Sequence, residues 1–136
     1  MPEAESLPEL FGLVNRRLRH LARESLEPWD VTVGQSRALG VLIRGGPLRL
    51  NELAERLRIV PRSATEVVDA LQAAGLVERR PDPLDRRAML VGLTGRGERI
   101  GESVRAAREA EAERFFGALD ERDRAELARI LRALAG

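Results

Sequence analysis

Hydrophobic residues at the start of the chain recur every three or four positions, which is the period of one face of an α-helix. The members of this stripe are Leu7, Leu10, Phe11, Val14, Leu18, Leu21 and Ala22. They predict an amphipathic helix over about residues 7–26. The segment Glu27-Pro28-Trp29-Asp30 should end this helix, because proline cannot continue its backbone hydrogen bonds.

A second helix is indicated by the spacing of a capping box, in which two side chains satisfy backbone N–H groups at a helix start. Thr32 and Gln35 have this spacing. The helix should therefore begin near Val33. It should continue until Gly45-Gly46-Pro47 breaks the pattern.

Two shorter helices are expected next, with only a few residues between them. Their apolar stripes are Leu50, Leu53, Ala54 and Leu57 for the first, and Ala64, Val67, Val68 and Leu71 for the second. Pro61 suits the first turn of the second helix, and Gly75 suits the left-handed conformation found at helix ends. Two short helices joined by a tight turn form a helix-turn-helix unit.

Two short runs with strand-forming residues follow, at positions 76–80 and 88–93. The segment 81–87 between them contains Pro81, Asp82, Pro83 and Asp85, which favour loops over strand interiors. The pattern predicts a β-hairpin with a long basic tip, which is called a wing.

Two further helices complete the chain. Thr94 is expected to cap a helix that carries Ile100, Val104, Ala107, Phe115 and Phe116, and Asp120 to cap a last helix with the stripe Leu127, Ile130, Leu131 and Leu134. The first helix and these two would make a thin core by themselves. We therefore expect the two ends of the chain to pack together and to share apolar surface with a second copy.

The predicted fold class is mainly α with a small β-hairpin wing, that is, a winged helix-turn-helix with N- and C-terminal helices that form a dimerisation region. We expect a single domain over residues 1–136. Residues of about 1–31 and 100–136 would supply the dimerisation helices, and residues of about 32–99 the DNA-binding module.

Composition excludes several classes of function. The chain has no Cys and one His, which leaves no thiol chemistry, no thiolate or His-rich metal site and no Ser/His/Asp triad. No Gly-rich phosphate loop follows a strand. No apolar stretch approaches the length of a membrane span, and the first ten residues are acidic where a signal peptide is basic. We expect a cytoplasmic protein that is not an enzyme and needs no cofactor.

The charge is unevenly distributed although its net value is only +1. Residues 44–99 carry 11 Arg against 8 acidic residues, whereas each flank carries one more acid than base. This mildly basic centre favours contact with nucleic acid. All 23 basic side chains are Arg, which suits bidentate phosphate and guanine contacts; biased codon usage in a GC-rich genome explains the same fact more simply.

The stretch GLVERRPDPLDRRA at residues 75–88, followed by Val91-Gly92-Leu93-Thr94 and Gly97, resembles the wing motif of the multiple-antibiotic-resistance regulator (MarR) family. The resemblance runs from about Thr32 to the end of the chain, and residues 51–57 resemble the family's first helix-turn-helix element. It implies a homodimer that binds a palindromic operator in double-stranded DNA and represses nearby genes. It also implies release by a small anionic or phenolic effector.

Three residues in the first turns of the second helix of the helix-turn-helix unit, the recognition helix, lie off its apolar stripe. These are Arg62, Ser63 and Thr65, and we expect them to contact bases and phosphates. The N-terminus of the helix adds a partial positive charge that attracts phosphate.

The resemblance also assigns roles in the wing. It implies that Arg87 enters the minor groove, where narrow A·T-rich stretches attract Arg. Arg86 is expected to contact the DNA backbone, and Asp85 to hold the shape of the wing by pairing with an Arg. Outside this pattern, such Arg residues would simply solvate an exposed loop.

Three residues depart from the family pattern. Arg58 occupies a turn position where glycine is common, which leaves either a looser turn or an Arg that reaches phosphate. Val60 replaces a Ser or Thr cap. Glu66 replaces a basic residue, and either pairs with a neighbouring Arg, which we favour, or accepts a hydrogen bond from a cytosine amino group.

Two questions stay open at the level of sequence. Winged helices also serve as protein-docking modules, and a net charge of +1 is low for a DNA-binding protein. The resemblance places an effector near Arg17, His20 and Trp29, although ordinary packing and surface roles explain these residues more simply.

Overall fold

Residues 5–136 are described by a computed structural model, in which they form six α-helices and a three-stranded sheet. The helices are α1 (Leu7–Leu26), α2 (Val33–Gly45), α3 (Leu50–Leu57), α4 (Pro61–Ala73), α5 (Gly95–Phe116) and α6 (Glu121–Ala135), and the strands are β1 (Leu48–Arg49), β2 (Val77–Asp82) and β3 (Asp85–Leu93). A 3₁₀ turn at Glu27–Trp29 links α1 to α2. The predicted helices and the fold class are confirmed.

Capping side chains fix the helix starts as the sequence predicts. The Thr32 hydroxyl accepts a hydrogen bond from the Gln35 N–H at 3.1 Å, and the Gln35 side chain accepts one from the Thr32 N–H at 3.1 Å. Thr94 and Asp120 cap α5 and α6 in the same manner, each through its side-chain oxygen. A further capping box at α1, formed by Ser6 and Glu9, was not predicted.

The sheet is antiparallel with the strand order β1-β3-β2. The prediction of a long wing tip is wrong, because the strands extend to Asp82 and from Asp85 and leave only Pro83 and Leu84 between them. β2 lies at the sheet edge, where Pro81 is tolerated although it lacks an N–H donor. An Asp82 carboxylate oxygen accepts a hydrogen bond from the Leu84 N–H at 2.9 Å, which closes the turn. The two-residue strand β1 was also missed.

The winged helix-turn-helix module has its own apolar core. Its buried side chains come from α2, α3, α4 and the sheet, and the largest of those with almost no exposure are Leu39, Leu53, Val68, Leu71, Val77 and Val91. This core fixes α4 against the wing.

The terminal helices are poorly covered in a single chain. α1 packs against α5, but Leu26 is its only buried residue and α6 buries none. Large apolar side chains are exposed on both helices, namely Leu7, Leu10, Phe11, Leu13, Val14, Ile130, Leu131 and Leu134. No helix within the described residues is long and apolar enough to cross a membrane.

Candidate nucleic-acid interface

The first turn of α4 carries an open set of polar groups. Arg62 is exposed, and Ser63 and Thr65 are half-buried. The Thr65 hydroxyl donates to the Pro61 carbonyl at 3.0 Å, so its oxygen lone pairs are its remaining hydrogen-bonding capacity. Among residues 5–136, no carboxylate lies within 4 Å of the Arg62 guanidinium.

The N-terminus of α4 also lacks a side-chain cap. Val60 stands at the N-cap position, where it accepts no backbone hydrogen bond through its side chain, and Pro61 has no N–H. The next backbone N–H groups are therefore not satisfied by a capping side chain. A helix end of this kind favours a negatively charged partner such as phosphate.

The turn between α3 and α4 keeps a tight geometry despite its arginine. Arg58 adopts the left-handed backbone conformation, with φ 57° and ψ 45°, in which glycine avoids the steric cost of a Cβ atom. The Arg37 guanidinium donates to the Leu57 carbonyl at 2.9 Å and so satisfies an end of α3. Of the two sequence alternatives for Arg58, a looser turn is wrong. Contact with phosphate remains a prediction.

An arginine outside the hairpin attaches the wing to the helix-turn-helix unit. The Arg49 Nε and Nη2 atoms donate to one oxygen of Asp82 at 3.2 and 3.0 Å, and Asp82 is only 7% exposed. The Leu84 N–H and the Arg49 guanidinium together hold the pKa of Asp82 below its usual range. The sequence does not predict this Arg49–Asp82 ion pair, because Arg49 lies 33 residues before Asp82 in the chain.

Asp85 has a weaker contact with the same arginine. Its Oδ2 atom lies 3.8 Å from Arg49 Nη2, and its Oδ1 accepts a hydrogen bond from the Arg87 N–H at 3.1 Å. The sequence predicts that Asp85 forms the ion pair with an arginine that stabilises the wing. In the structure, the carboxylate that is hydrogen-bonded to Arg49 is Asp82. The pattern Asp-Pro-Leu-Asp offers two carboxylates, and only the hairpin register distinguishes them.

Arg86 and Arg87 are the first residues after Asp85 on β3, next to the wing tip. Both side chains are exposed. In the described part of the chain, neither guanidinium lies within 4 Å of a carboxylate. Both charges are therefore available to an external anion.

A second arginine connects the wing to α4. Arg79 Nη2 lies 2.7 Å from Asp69 Oδ1, and its Nη1 donates to Gln72. Arg79 is thus engaged within the protein rather than free for DNA. Glu66 is exposed, and no basic side chain of residues 5–136 lies within 4 Å of it, so the favoured ion pair is wrong.

The residues predicted for an effector site lie on α1 and on the 3₁₀ turn that follows it. Arg17 is exposed, His20 pairs with Glu24 at 3.0 Å, and Trp29 packs against the core. An effector site at these three residues stays a prediction.

A cavity of about 360 Å³ lies between α2 and α5, where α3 also contributes. Its walls include Arg37, Arg44, Arg105 and Arg108. Arg108 donates to the Ser36 hydroxyl at 3.0 Å, and Arg105 is paired with Glu102 and Glu109. A larger cavity lies between the end of α1, which contributes Arg19 and Arg23, and the start of α2, which contributes Val33 and Gly34. Local sequence patterns could not reveal either cavity, since both form between helices.

Comparison with known proteins gives a consistent result. A family model described as the MarR family matches residues 29–88. The chain is 34% identical over 112 residues to the HTH-type transcriptional repressor MdtR of Bacillus subtilis (strain 168), covering 82% of this chain and 72% of that protein. It is 34% identical over 96 residues to the multiple antibiotic resistance protein MarR of Escherichia coli (strain K12), covering 71% and 67%. A crystal structure of a mutant E. coli MarR complexed with operator DNA is similar with a TM-score of 0.84 and 28% identity, covering 96% of this chain and 94% of that one.

Proposed function

This chain belongs to the MarR family of winged-helix transcriptional regulators, and from that premise we propose that it represses transcription as a homodimer bound to a pseudo-palindromic operator. Members of the family are regulators and not enzymes. The solved relative with operator DNA, with which this chain shares its fold, supports DNA as the partner.

The observation that carries the proposal is the set of free cationic groups on one module. Arg62 at the start of α4 and Arg86 and Arg87 at the wing have no carboxylate partner within the described residues, and the N-terminus of α4 has no side-chain cap. α4 has the dimensions to enter the major groove, where base edges are distinguishable. The wing would then lie over the adjacent minor groove.

The proposed dimer rests on the apolar surface of the terminal helices. α6 buries no residue in the single chain, and its exposed side chains Ile130, Leu131 and Leu134 have no cover. A second copy would bury them together with Leu7, Leu10 and Phe11. A two-fold dimer places its recognition helices about 34 Å apart, one turn of DNA, and therefore selects a pseudo-palindrome.

A protein-docking module without specific DNA binding is the alternative, and salt dependence separates the two. Binding to duplex DNA should weaken by roughly 10³–10⁵ between 50 and 200 mM salt if the usual number of phosphate contacts forms. Selection from a random duplex pool should then recover a symmetric site. A flat salt response with no enriched sequence would contradict the proposal.

The proposal includes release by a small anionic or phenolic effector. The cavity between α2 and α5 supports it, because the Arg37 and Arg44 guanidinium groups on its wall have no carboxylate within 4 Å in the part of the chain described. Phenolic carboxylates should raise the melting temperature of the protein, and Arg44→Ala should reduce that shift. Arg96→Ala, which removes an exposed charge outside the cavity, is the control. No shift across a broad panel would contradict effector binding and leave the DNA proposal intact.

A further inference from the structure

We infer that Gly97, in the first turn of α5, is a positioning residue that fixes the recognition helix relative to the dimerisation helices and thereby sets the half-site spacing of the operator. This inference rests on the proposed function, since it concerns how far apart two copies of α4 lie. Gly97 is buried within the chain. It acts through the backbone of the turn that follows α4.

The contact at Gly97 is between two backbones. A Cβ atom added at Gly97 would lie 1.8 Å from the Leu76 carbonyl oxygen and 2.8 Å from the Leu76 carbonyl carbon. No side-chain rotation can relieve an overlap with backbone atoms. Any larger residue at this position must therefore move α5 away from the end of α4.

Hydrogen bonds also fix the orientation of the start of α5 relative to the turn at Gly75 and Leu76. The Thr94 N–H donates to the Leu76 carbonyl at 3.1 Å, and the Thr94 hydroxyl donates to the Gly75 carbonyl at 2.7 Å. The same hydroxyl oxygen accepts from the Gly97 N–H at 3.0 Å. Leu76 in turn donates to the carbonyl of Leu71 in the last turn of α4, at 2.9 Å. A continuous chain of hydrogen bonds thus joins the end of α4 to the start of α5.

A second glycine allows the next turn of α5 to pack closely against α2. Gly101 lies four residues after Gly97 and therefore on the same helix face. Both are buried. A Cβ at Gly101 would lie 2.8 Å from Ile43 Cδ1, the far end of a flexible side chain of α2. Beyond this point α5 continues along α1, so one helix spans the module and the predicted dimerisation region.

Three glycines within two turns provide a graded experiment. At Gly95, the nearest atom to an added Cβ is the Arg99 Nη1 at 3.5 Å, an ordinary contact. At Gly101 a side-chain tip must move, and at Gly97 a backbone must move. The displacement of α4 should therefore increase in the order Gly95→Ala, Gly101→Ala, Gly97→Ala.

Operator spacing is the readout that general destabilisation would not alter. Affinities are measured for the selected operator and for versions whose centre is lengthened or shortened by one or two base pairs. Gly95→Ala should keep the wild-type spacing profile. Gly97→Ala should lose at least about tenfold on the wild-type spacing and show a shifted or flattened profile, while its affinity for random duplex stays within about twofold.

A distance measurement checks the geometry without DNA. Because the chain has no Cys, Ala70→Cys on the exposed face of α4 gives a single spin-labelling site per subunit. The distance between the two labels in the dimer should be narrow in the parent and in Gly95→Ala, and shifted or broadened in Gly97→Ala. If Gly97→Ala does not fold, Thr94→Val, which removes both hydroxyl contacts, takes its place, and Thr94→Ser should restore the parent behaviour.

The outcomes separate this inference from the proposed function. A parent protein that binds no DNA, or that stays monomeric, contradicts the proposed function. A parent that binds as a dimer, together with a folded Gly97→Ala or Thr94→Val variant whose spacing profile and label distance are unchanged, overturns the role of Gly97.

Discussion

Arg49 and Asp82 form an ion pair in which Nε and Nη2 of the guanidinium both donate to the same oxygen, Asp82 Oδ2, at 3.2 and 3.0 Å. Arg49 lies in the short strand before α3, and Asp82 lies at the end of β2. The pair therefore joins the helix-turn-helix unit to the wing. The other oxygen of Asp82 accepts the Leu84 N–H, so one carboxylate both closes the hairpin and attaches it.

Loss of this carboxylate should loosen the wing more than the fold. In Asp82→Ala, we expect faster amide hydrogen exchange over residues 84–87 and weaker operator binding, with little change in exchange within α4. Asp85→Ala is the matched control, because its Arg49 contact is longer at 3.8 Å. Equal effects of the two substitutions would contradict a special role for Asp82.

The pH dependence of the wing follows from the same contacts. The pKa of Asp82 is lowered in the folded protein, first by the Leu84 N–H and then by Arg49. A carboxyl with a depressed folded pKa contributes stability above its unfolded pKa and loses it as the pH falls through the folded value. Protection factors over residues 84–87, which correct for the intrinsic pH dependence of amide exchange, should thus be high at neutral pH and fall at acid pH, and this fall should be absent in Asp82→Ala.

Arg87→Ala should weaken operator binding at least about fivefold and reduce its salt dependence, because an exposed guanidinium without an internal partner is removed from the wing. The dimer should remain intact. Arg122→Ala, which removes an exposed charge from α6, is the control. Titration of labelled operator at several salt concentrations gives both quantities, and unchanged binding would exclude Arg87 from the interface.

Arg58→Gly should stabilise the protein by about 1 kcal/mol, because glycine adopts the left-handed conformation of this residue without a steric penalty. Arg58→Ala removes the same charge but keeps the Cβ atom, and it should give no such gain. Denaturant unfolding of the two variants measures the difference. If both weaken DNA binding equally, Arg58 contacts phosphate through its charge.

Val60→Thr should stabilise α4 by about 1 kcal/mol, because it supplies the hydroxyl that the N-cap position lacks. The Val60 side chain is 63% exposed, so little apolar burial is lost. Val60→Ala, which adds no acceptor, should not stabilise. A lower unfolding midpoint for the Thr variant would show that the helix end is satisfied in another manner.

Phe11→Glu should convert the proposed dimer into monomers, because it places a charge on the exposed apolar face of α1. Leu84→Glu is the control, since Leu84 is still more exposed but lies at the wing tip. Sedimentation at several concentrations distinguishes the two. A Phe11→Glu protein that remains dimeric would remove this part of α1 from the interface.

Features encoded by neighbouring residues could be predicted from the sequence, and features made by distant residues could not. The stripe of α1 and the capping residues Thr32, Thr94 and Asp120 act over one or two helical turns, and the helices begin where these residues indicate. The Arg49–Asp82 ion pair depends on the register of the sheet. The two residues of β1 are too few to produce an alternating hydrophobic pattern in the sequence. The cavity between α2 and α5 was not predicted for a related reason, because it depends on how α2 lies on α5.

The 15 residues of α6, none of them buried, have a consequence for the lifetime of the chain. An isolated helix of this length is marginal in water, so little free energy favours its order before a partner arrives. In the proposed dimer, cooperativity would extend across two chains, and mass action would link the melting temperature to the protein concentration. A scarce regulator would spend more time with a frayed C-terminus, open to proteases, than an abundant one.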